Sequence, residues 1–264
     1  MTTVEAIRVS GDWLDLREPA DAAARSRDLV RQLRRRLPDS APLVIHDLAC
    51  GSGSMGRWLS PLLPGPQRWV LHDRDPDLLA LAAAGAPSAV DPRLGDITKL
   101  GPEDLAGADL ITASALLDLL TEDELTAVIA ACAGAGCPLL FTLSVTGRVQ
   151  LLPADPLDAR VAASFDDHQR RVTSRGRLLG PDAVAAAVES FRALGAEVVV
   201  KPSPWRLGAD ESALAVEWFD GWLGAACEQN PDLDAGLYRR RRLREAEAAC
   251  LVVTVGHADL LVLP

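Results

Sequence analysis

Apolar and polar positions along this chain change rhythm several times, and each change marks an element. From Glu18 to Leu37 the apolar residues Ala22, Leu29, Val30 and Leu33 fall at helical spacing between arginines, and Pro38 ends the run, which predicts one amphipathic helix. Short apolar runs then alternate with helical stretches. The runs Leu43–Asp47, Arg68–Asp73, Ala89–Leu94, Asp109–Ala113 and Pro138–Leu143 read as strands. Between them, Ser54–Leu63, Pro76–Ala84 and Thr121–Ala133 read as helices, the second with proline at its start and the third with a Thr121/Glu124 capping box. Strand–helix alternation of this kind predicts a parallel sheet covered on both faces, with ligands at the carboxyl ends of the strands.

The second half is organised differently. Thr146 to Arg177 is polar, with a helix over Pro156–Arg171; a helix over Pro181–Leu194 and a strand over Ala196–Val200 follow. Two helices, Glu211–Glu228 and Asp234–Ala249, precede an alternating strand, Leu251–Leu263, that is expected to bend at Gly256. No repeat or low-complexity linker interrupts the chain. The expected organisation is one domain over 1–264, with an N-terminal helical segment (1–40) and insertions at about 144–180 and 202–249.

Composition narrows the function. At 264 residues and 48% hydrophobic content the chain can bury a large core. A formal net charge of −10 disfavours nucleic acid as partner, although Arg25–Arg36 and Arg239–Arg244 are locally arginine-rich. The five cysteines are scattered without CxxC pairs, as expected of reduced thiols. Met1–Asp12 lacks the pattern of a secretion signal, and no uncharged run is long enough to span a bilayer, so a cytoplasmic protein that does not use a membrane is expected. No clustered carboxylate set suggests a required metal ion.

The candidate chemistry begins at Val44-Ile45-His46-Asp47-Leu48-Ala49-Cys50-Gly51-Ser52-Gly53-Ser54-Met55-Gly56, an apolar strand that runs into a glycine turn and opens a helix. Glycines let a ligand approach the backbone, and the helix start offers free N–H groups. Gly51-x-Gly53-x-x-Gly56 also fits a dinucleotide fingerprint. Asp47, at the strand end, suits a cofactor with a cationic amino group better than a pyrophosphate. Asp73 ends the second strand, where a carboxylate can accept ribose hydroxyls, and Asp75 is placed to cap the next helix. Gly95-Asp96-Ile97 follows the third strand.

These stretches together resemble class I S-adenosylmethionine-dependent methyltransferases, with Ala49 where the fullest form of their first motif has a glycine. The resemblance covers most of the chain from about Leu43. It implies a doubly wound, Rossmann-like, mostly parallel seven-stranded α/β sheet with an antiparallel last strand, and S-adenosylmethionine as cofactor. It also implies a cofactor site of Asp47, Ala49, Gly51, Gly53, Asp73, Arg74, Asp96, Ile97 and Ser114. Asp96 would bond the adenine amino group while Ile97 packs on the ring. Small residues at Ala113 and Ser114 would leave room for the methionine arm.

For the acceptor, the insertion at Thr146–Arg177 stands where such enzymes build their pocket and is expected to be its mobile cover. His168, beside Asp166 and Asp167, reads either as a general base or as part of a charged helix face; Arg170 or Arg171 would hold an anionic acceptor. Asp118 faces the substrate, caps a helix or lies at the surface, and Trp205 is a pocket wall or a packing anchor. His46, His72 and His257 read as structural, and Trp13 is placed to help an N-terminal segment close over the cofactor. No Asp/Asn-Pro-Pro-aromatic sequence follows strand four, which together with the acidic charge favours a small-molecule acceptor. A methyltransferase-like protein that binds the cofactor without turnover, and an NAD-dependent oxidoreductase, are the rival readings.

Overall fold

A computed structural model describes residues 9–38 and 42–264. Residues 1–8 and 39–41 lie outside it, and with them most of the N-terminal stretch read for a secretion signal and the ends of the expected 1–40 segment. The expected single first helix is two. α1 (Gly11–Ala24) starts at Ser10, whose hydroxyl accepts the Trp13 N–H, and α2 (Arg27–Leu33) starts afresh at Ser26, whose hydroxyl accepts the Leu29 N–H. The helical apolar spacing continues across this break, so only the cap chemistry of Ser26 marks it.

The sheet is built from β1 (Leu43–Leu48), β2 (Gln67–Asp73), β3 (Ala89–Leu94), β4 (Leu110–Ser114) and β5 (Leu139–Leu152). Their intervening helices are α3 (Ser54–Leu59), α4 (Pro76–Ala84) and α5 (Glu122–Gly134). After β5 come α6 (Asp158–Gln169), a small hairpin of β6 (Val172–Thr173) and β7 (Gly176–Arg177), α7 (Ala183–Ala193) and β8 (Glu197–Pro202). β9 (Trp205–Leu207), α8 (Ser212–Gln229), α9 (Ala235–Glu247) and β10 (Val252–Leu263) complete the fold. The strand order is β3-β2-β1-β4-β5-β10-β8, with β9 also paired to β10. β1 to β5 are parallel, whereas β10 runs antiparallel between β5 and β8. The doubly wound architecture is therefore as expected, with an eighth strand, β9, that the sequence reading did not include.

Successive residues of a buried strand face opposite sides, and both sides of this sheet are covered. Ile45, Trp69 and Leu71 pack with Leu29 and Leu33 of α2, Met55 of α3 and Leu79 of α4. On the other side Ile111, Phe141 and Leu260 pack with Leu125, Val128 and Ile129 of α5 and with Ala187 and Phe191 of α7. A third cluster positions the site. β5 runs nine residues beyond the expected Leu143 and stays paired with β10 as far as Leu152↔Val252. This antiparallel extension carries Leu151, Val253 and Val255 against Phe219 and Trp222 of α8, Tyr238 of α9 and Val161 of α6. The layer stands over the carboxyl ends of β1, β4 and β5.

The segment expected as a mobile cover is anchored in that layer. The Asp158 carboxylate of α6 accepts from the Tyr238 hydroxyl (2.7 Å) and from the buried Arg242 guanidinium (2.5 and 2.7 Å). Bonds to a charged group, formed out of water, hold a helix more firmly than its weak apolar stripe would suggest.

Candidate cofactor and acceptor site

The last residue but one of β1 is Asp47, 1% exposed, whose Oδ1 accepts the Thr112 hydroxyl at 2.7 Å. Its Oδ2 has no hydrogen-bond partner among the described residues. Burial pushes the Asp47 carboxyl up to about 7, against the opposing pull of Thr112 and of Arg25. The chain then turns through three left-handed residues, Ala49 (φ 52°), Gly51 (φ 55°) and Gly53 (φ 86°). Gly53 starts α3, and a Cβ there would stand 3.1 Å from the backbone of Ala82. Ala49 holds the same conformation with a side chain, which costs a non-glycine residue about 1–2 kcal/mol.

Asp73, at the end of β2, ties this turn down. One carboxylate oxygen accepts the Gly51 N–H (2.8 Å) and the other the Asp75 N–H (2.9 Å), leaving further lone pairs on both. Asp75 caps α4 as its sequence position suggested, accepting from Asp77 (2.9 Å) and Leu78 (3.3 Å). Asp96 accepts both the N–H and the hydroxyl of Thr98 (3.0 and 2.8 Å). Asp47, Ala49, Gly51, Asp73, Arg74, Asp96, Ile97 and Ser114 all line one cavity of about 600 Å³. Gly53 does not, and Ala113 packs into the core instead.

Ser114 is already engaged: its hydroxyl accepts from Arg25 (3.0 Å) and from Thr142 (3.1 Å). Arg25 is 2% exposed, also donates to the Ser54 hydroxyl (3.0 Å), and lies 5.4 Å from the Trp58 ring. It places a cation near Asp47 that the sequence reading missed. The signal was present, since Arg17, Asp21 and Arg25 recur at every fourth position and make a polar stripe on a helix expected to bury an apolar one.

The cavity continues from the cofactor acids into a chamber walled by Trp13, Phe165, Trp205 and Trp218. Arg17 donates to both Asp21 oxygens (3.0 and 3.2 Å), its guanidinium lies 4.9 Å from the Trp205 ring, and the Trp205 indole N–H donates to Asp21 (2.9 Å). Trp205 is thus both wall and anchor, and Trp13, inside α1, packs edge-on against it. The register of β10 shifts between Val255 and His257, at the expected bend, and a Cβ on Gly256 would stand 2.6 Å from the Thr146 hydroxyl. His257, expected to be structural, lines the cavity beside Trp205. Asp118 lines it too, its carboxyl pushed up to about 6 by burial, with Arg17 and Arg171 pulling the other way.

His168 is not brought to this cavity. Its ring nitrogen faces Glu228 of α8 at 3.4 Å, because the helical turn points Phe165, Asp166 and Gln169 inward instead. The structure corrects its reading as a base. Arg170 bonds Asp182 (2.6 and 2.8 Å) and Arg171 the His168 carbonyl (3.1 Å), so neither is placed to hold an acceptor.

Residues 45–136 match a family model described as a methyltransferase domain. The structure is similar to the mycolic acid cyclopropane synthase CmaA1, solved with SAH and CTAB, at 14% identity and a TM-score of 0.52, over 95% of this chain and 94% of that one. It is similar to the cyclopropane synthase MmaA2 of Mycobacterium tuberculosis at 13% identity and a TM-score of 0.50, over 95% and 94%. The YcgJ protein of Bacillus subtilis gives 11% identity and a TM-score of 0.50, over 90% and 97%. No curated protein matches the sequence. The fold is Rossmann-like, and the matching segment is that of a methyltransferase domain. S-adenosylmethionine is the cofactor that a match to a methyltransferase domain implies. The residues present fit that group: a buried carboxylate oxygen without a partner at the end of β1 answers a cationic amino group, and would repel a pyrophosphate.

Proposed function

We propose that this protein transfers the methyl group to a small organic molecule held in the aromatic chamber. The supporting observation is the continuity of the cavity, about 600 Å³, from the acids at the ends of β1, β2 and β3 to the tryptophans of α1, α8 and β9. Aromatic walls with polar groups set among them suit a small ligand, and the overall charge of −10 disfavours a nucleic acid.

When bound, the cofactor supplies a methyl carbon activated by a sulfonium. The chain's own residues do the remaining work. Asp47 and the N–H groups of the turn after β1 orient the amino-acid end, and Asp73 and Asp96 the nucleoside end. The chamber holds the acceptor in line and keeps water out, and such positioning lowers a barrier by roughly 7–11 kcal/mol. The test is methyl labelling of a cell extract with radiolabelled S-adenosylmethionine. Label is expected in the low-molecular-weight fraction; label confined to protein or nucleic acid refutes the proposal.

A further inference from the structure

The chamber's charges are unequally neutralised. Arg17 is held by Asp21, and Arg175 donates to Glu124 (2.7 Å) and to the Leu119 carbonyl (3.3 Å); Arg148 is exposed. Two carboxylates lining the same cavity have no such partner. Among the described residues neither Asp118 nor Asp166 forms an ion pair: Arg17 and Arg171 act on Asp118 from a distance, and Arg170, near Asp166, is bonded to Asp182. The backbone makes room for one of them. At Gly147 (φ 71°) a Cβ would stand 2.8 and 3.1 Å from the Asp166 carboxylate oxygens.

A third unanswered group lies in the same wall. His257 is 5% exposed, and its Nδ1 has no hydrogen-bond partner among the described residues. Burial, with Arg17 nearby, holds the imidazole neutral down to about 3. A neutral imidazole carries one lone pair, and the unpartnered Nδ1 can present it to a donor.

We propose that the methyl acceptor is a small amine, bound as its ammonium form by Asp118 and Asp166 with His257 accepting a further N–H, and that Asp118 takes the proton that frees the nitrogen. This rests on the small-molecule reading above and narrows it. Partly buried carboxylates without an ion-pair partner favour a ligand that brings positive charge and several donors, and repel a carboxylate or phosphate. An alcohol brings one donor and no charge. The aromatic walls at Phe165 and Trp218 accept the rest of an arylalkyl amine, and tryptophan faces also attract cations.

The proton count closes. The ammonium gives one proton to the Asp118 carboxylate, and the nitrogen lone pair so freed forms the N–C bond. The C–S bond breaks with its electron pair left on sulfur. The product leaves as a methylated ammonium ion, and Asp118 returns its proton to water. A carboxyl raised to about 6 by burial exchanges a proton readily near neutrality.

The test is calorimetric titration of the whole protein, saturated with S-adenosylhomocysteine, with three probes of one shape: phenethylamine, phenethyl alcohol and phenylacetate. Phenethylamine is expected to bind at least tenfold more tightly than the alcohol, and phenylacetate not at all. Asp118→Asn and Asp166→Asn should each weaken amine binding at least fivefold while retaining S-adenosylhomocysteine binding, which also reports on folding. Alcohol or carboxylate binding as tight as that of the amine overturns the amine inference and leaves the small-molecule reading standing. Failure of all three probes, with S-adenosylhomocysteine still bound, overturns both.

Discussion

Replacing Asp73 by Asn separates the two tasks of the most connected acid in the site. The side chain keeps its shape but loses its charge and one acceptor oxygen. In the wild type both oxygens are used, by Gly51 N–H at 2.8 Å and Asp75 N–H at 2.9 Å. An amide can satisfy one of these donors and must turn its NH2 toward the other. The loss is about one bond to a charged group, worth roughly 1.5–3 kcal/mol. At roughly 2–4 °C per kcal/mol for a chain of this size, the melting temperature should fall by about 3–12 °C. In the proposed site the Gly51 turn is also the surface that the cofactor approaches, and the ribose would lose an anionic acceptor. The affinity for S-adenosylhomocysteine should therefore fall by about 10- to 150-fold, the same 1.5–3 kcal/mol expressed as a ratio. Thermal unfolding and calorimetric titration read the two effects separately. Asp75→Ala, which removes only the cap of α4, should cost about 1 kcal/mol of stability and leave affinity within twofold. If Asp73→Asn melts and binds like the wild type, or if Asp75→Ala weakens binding as strongly, the reading of Asp73 is wrong.

Other expectations follow from single features. Ala49→Gly relieves a left-handed alanine costing about 1–2 kcal/mol, offset by about 0.5–1 kcal/mol of extra glycine entropy, so the melting temperature should hold or rise by up to about 6 °C; a lower value refutes the strain. Asp47 has a folded-state value near 7, above its ordinary 3.8, so between these values the folded protein holds the extra proton and stability falls as pH rises. The cationic end of the cofactor favours ionised Asp47, so S-adenosylhomocysteine should bind more tightly at about pH 8 than at about pH 6 and release a proton on binding, seen as a buffer-dependent heat that Asp47→Asn abolishes. His168→Ala should leave S-adenosylhomocysteine affinity unchanged and methyl transfer to the labelled acceptor within twofold, since the ring faces Glu228; a tenfold loss of transfer would return His168 to the chemistry.

The cofactor half was legible because its signals are local. Five apolar runs with three helices set among them predict a parallel sheet, and Asp47, Asp73 and Asp96 each fall at or just after a strand end that the sequence itself marks. The acceptor half was less so, because its wall is assembled from residues far apart in the chain. Ser144–Leu152 contains Thr146, Gly147, Arg148 and Gln150 and reads as polar cover, yet it is a strand because β10, a hundred residues later, supplies its hydrogen bonds. His168 was chosen over Asp166 by chemistry alone, and helical phase decided otherwise. His257 was set aside for its position beside a bend, and the bulge at that bend is what carries it into the cavity. Asp118 was left open between substrate, helix cap and surface, and nothing local could settle it, since its chamber is closed by α1 from the other end of the sequence.

The place of β10 has a consequence for how the protein comes into being. The strand lies between β5 and β8, where Val262 pairs with both Leu139 and Val198, yet it is made after all the others. A nascent chain can assemble β1 to β5 with their helices, but it holds two unpaired strand edges, those of β5 and β8, until Leu263 has left the ribosome. Exposed edges of this kind recruit other chains. The interval between synthesis of β8 and arrival of β10 is therefore when this protein is most open to misassembly, and any agent that shields those edges during translation should raise its soluble yield without touching the finished fold.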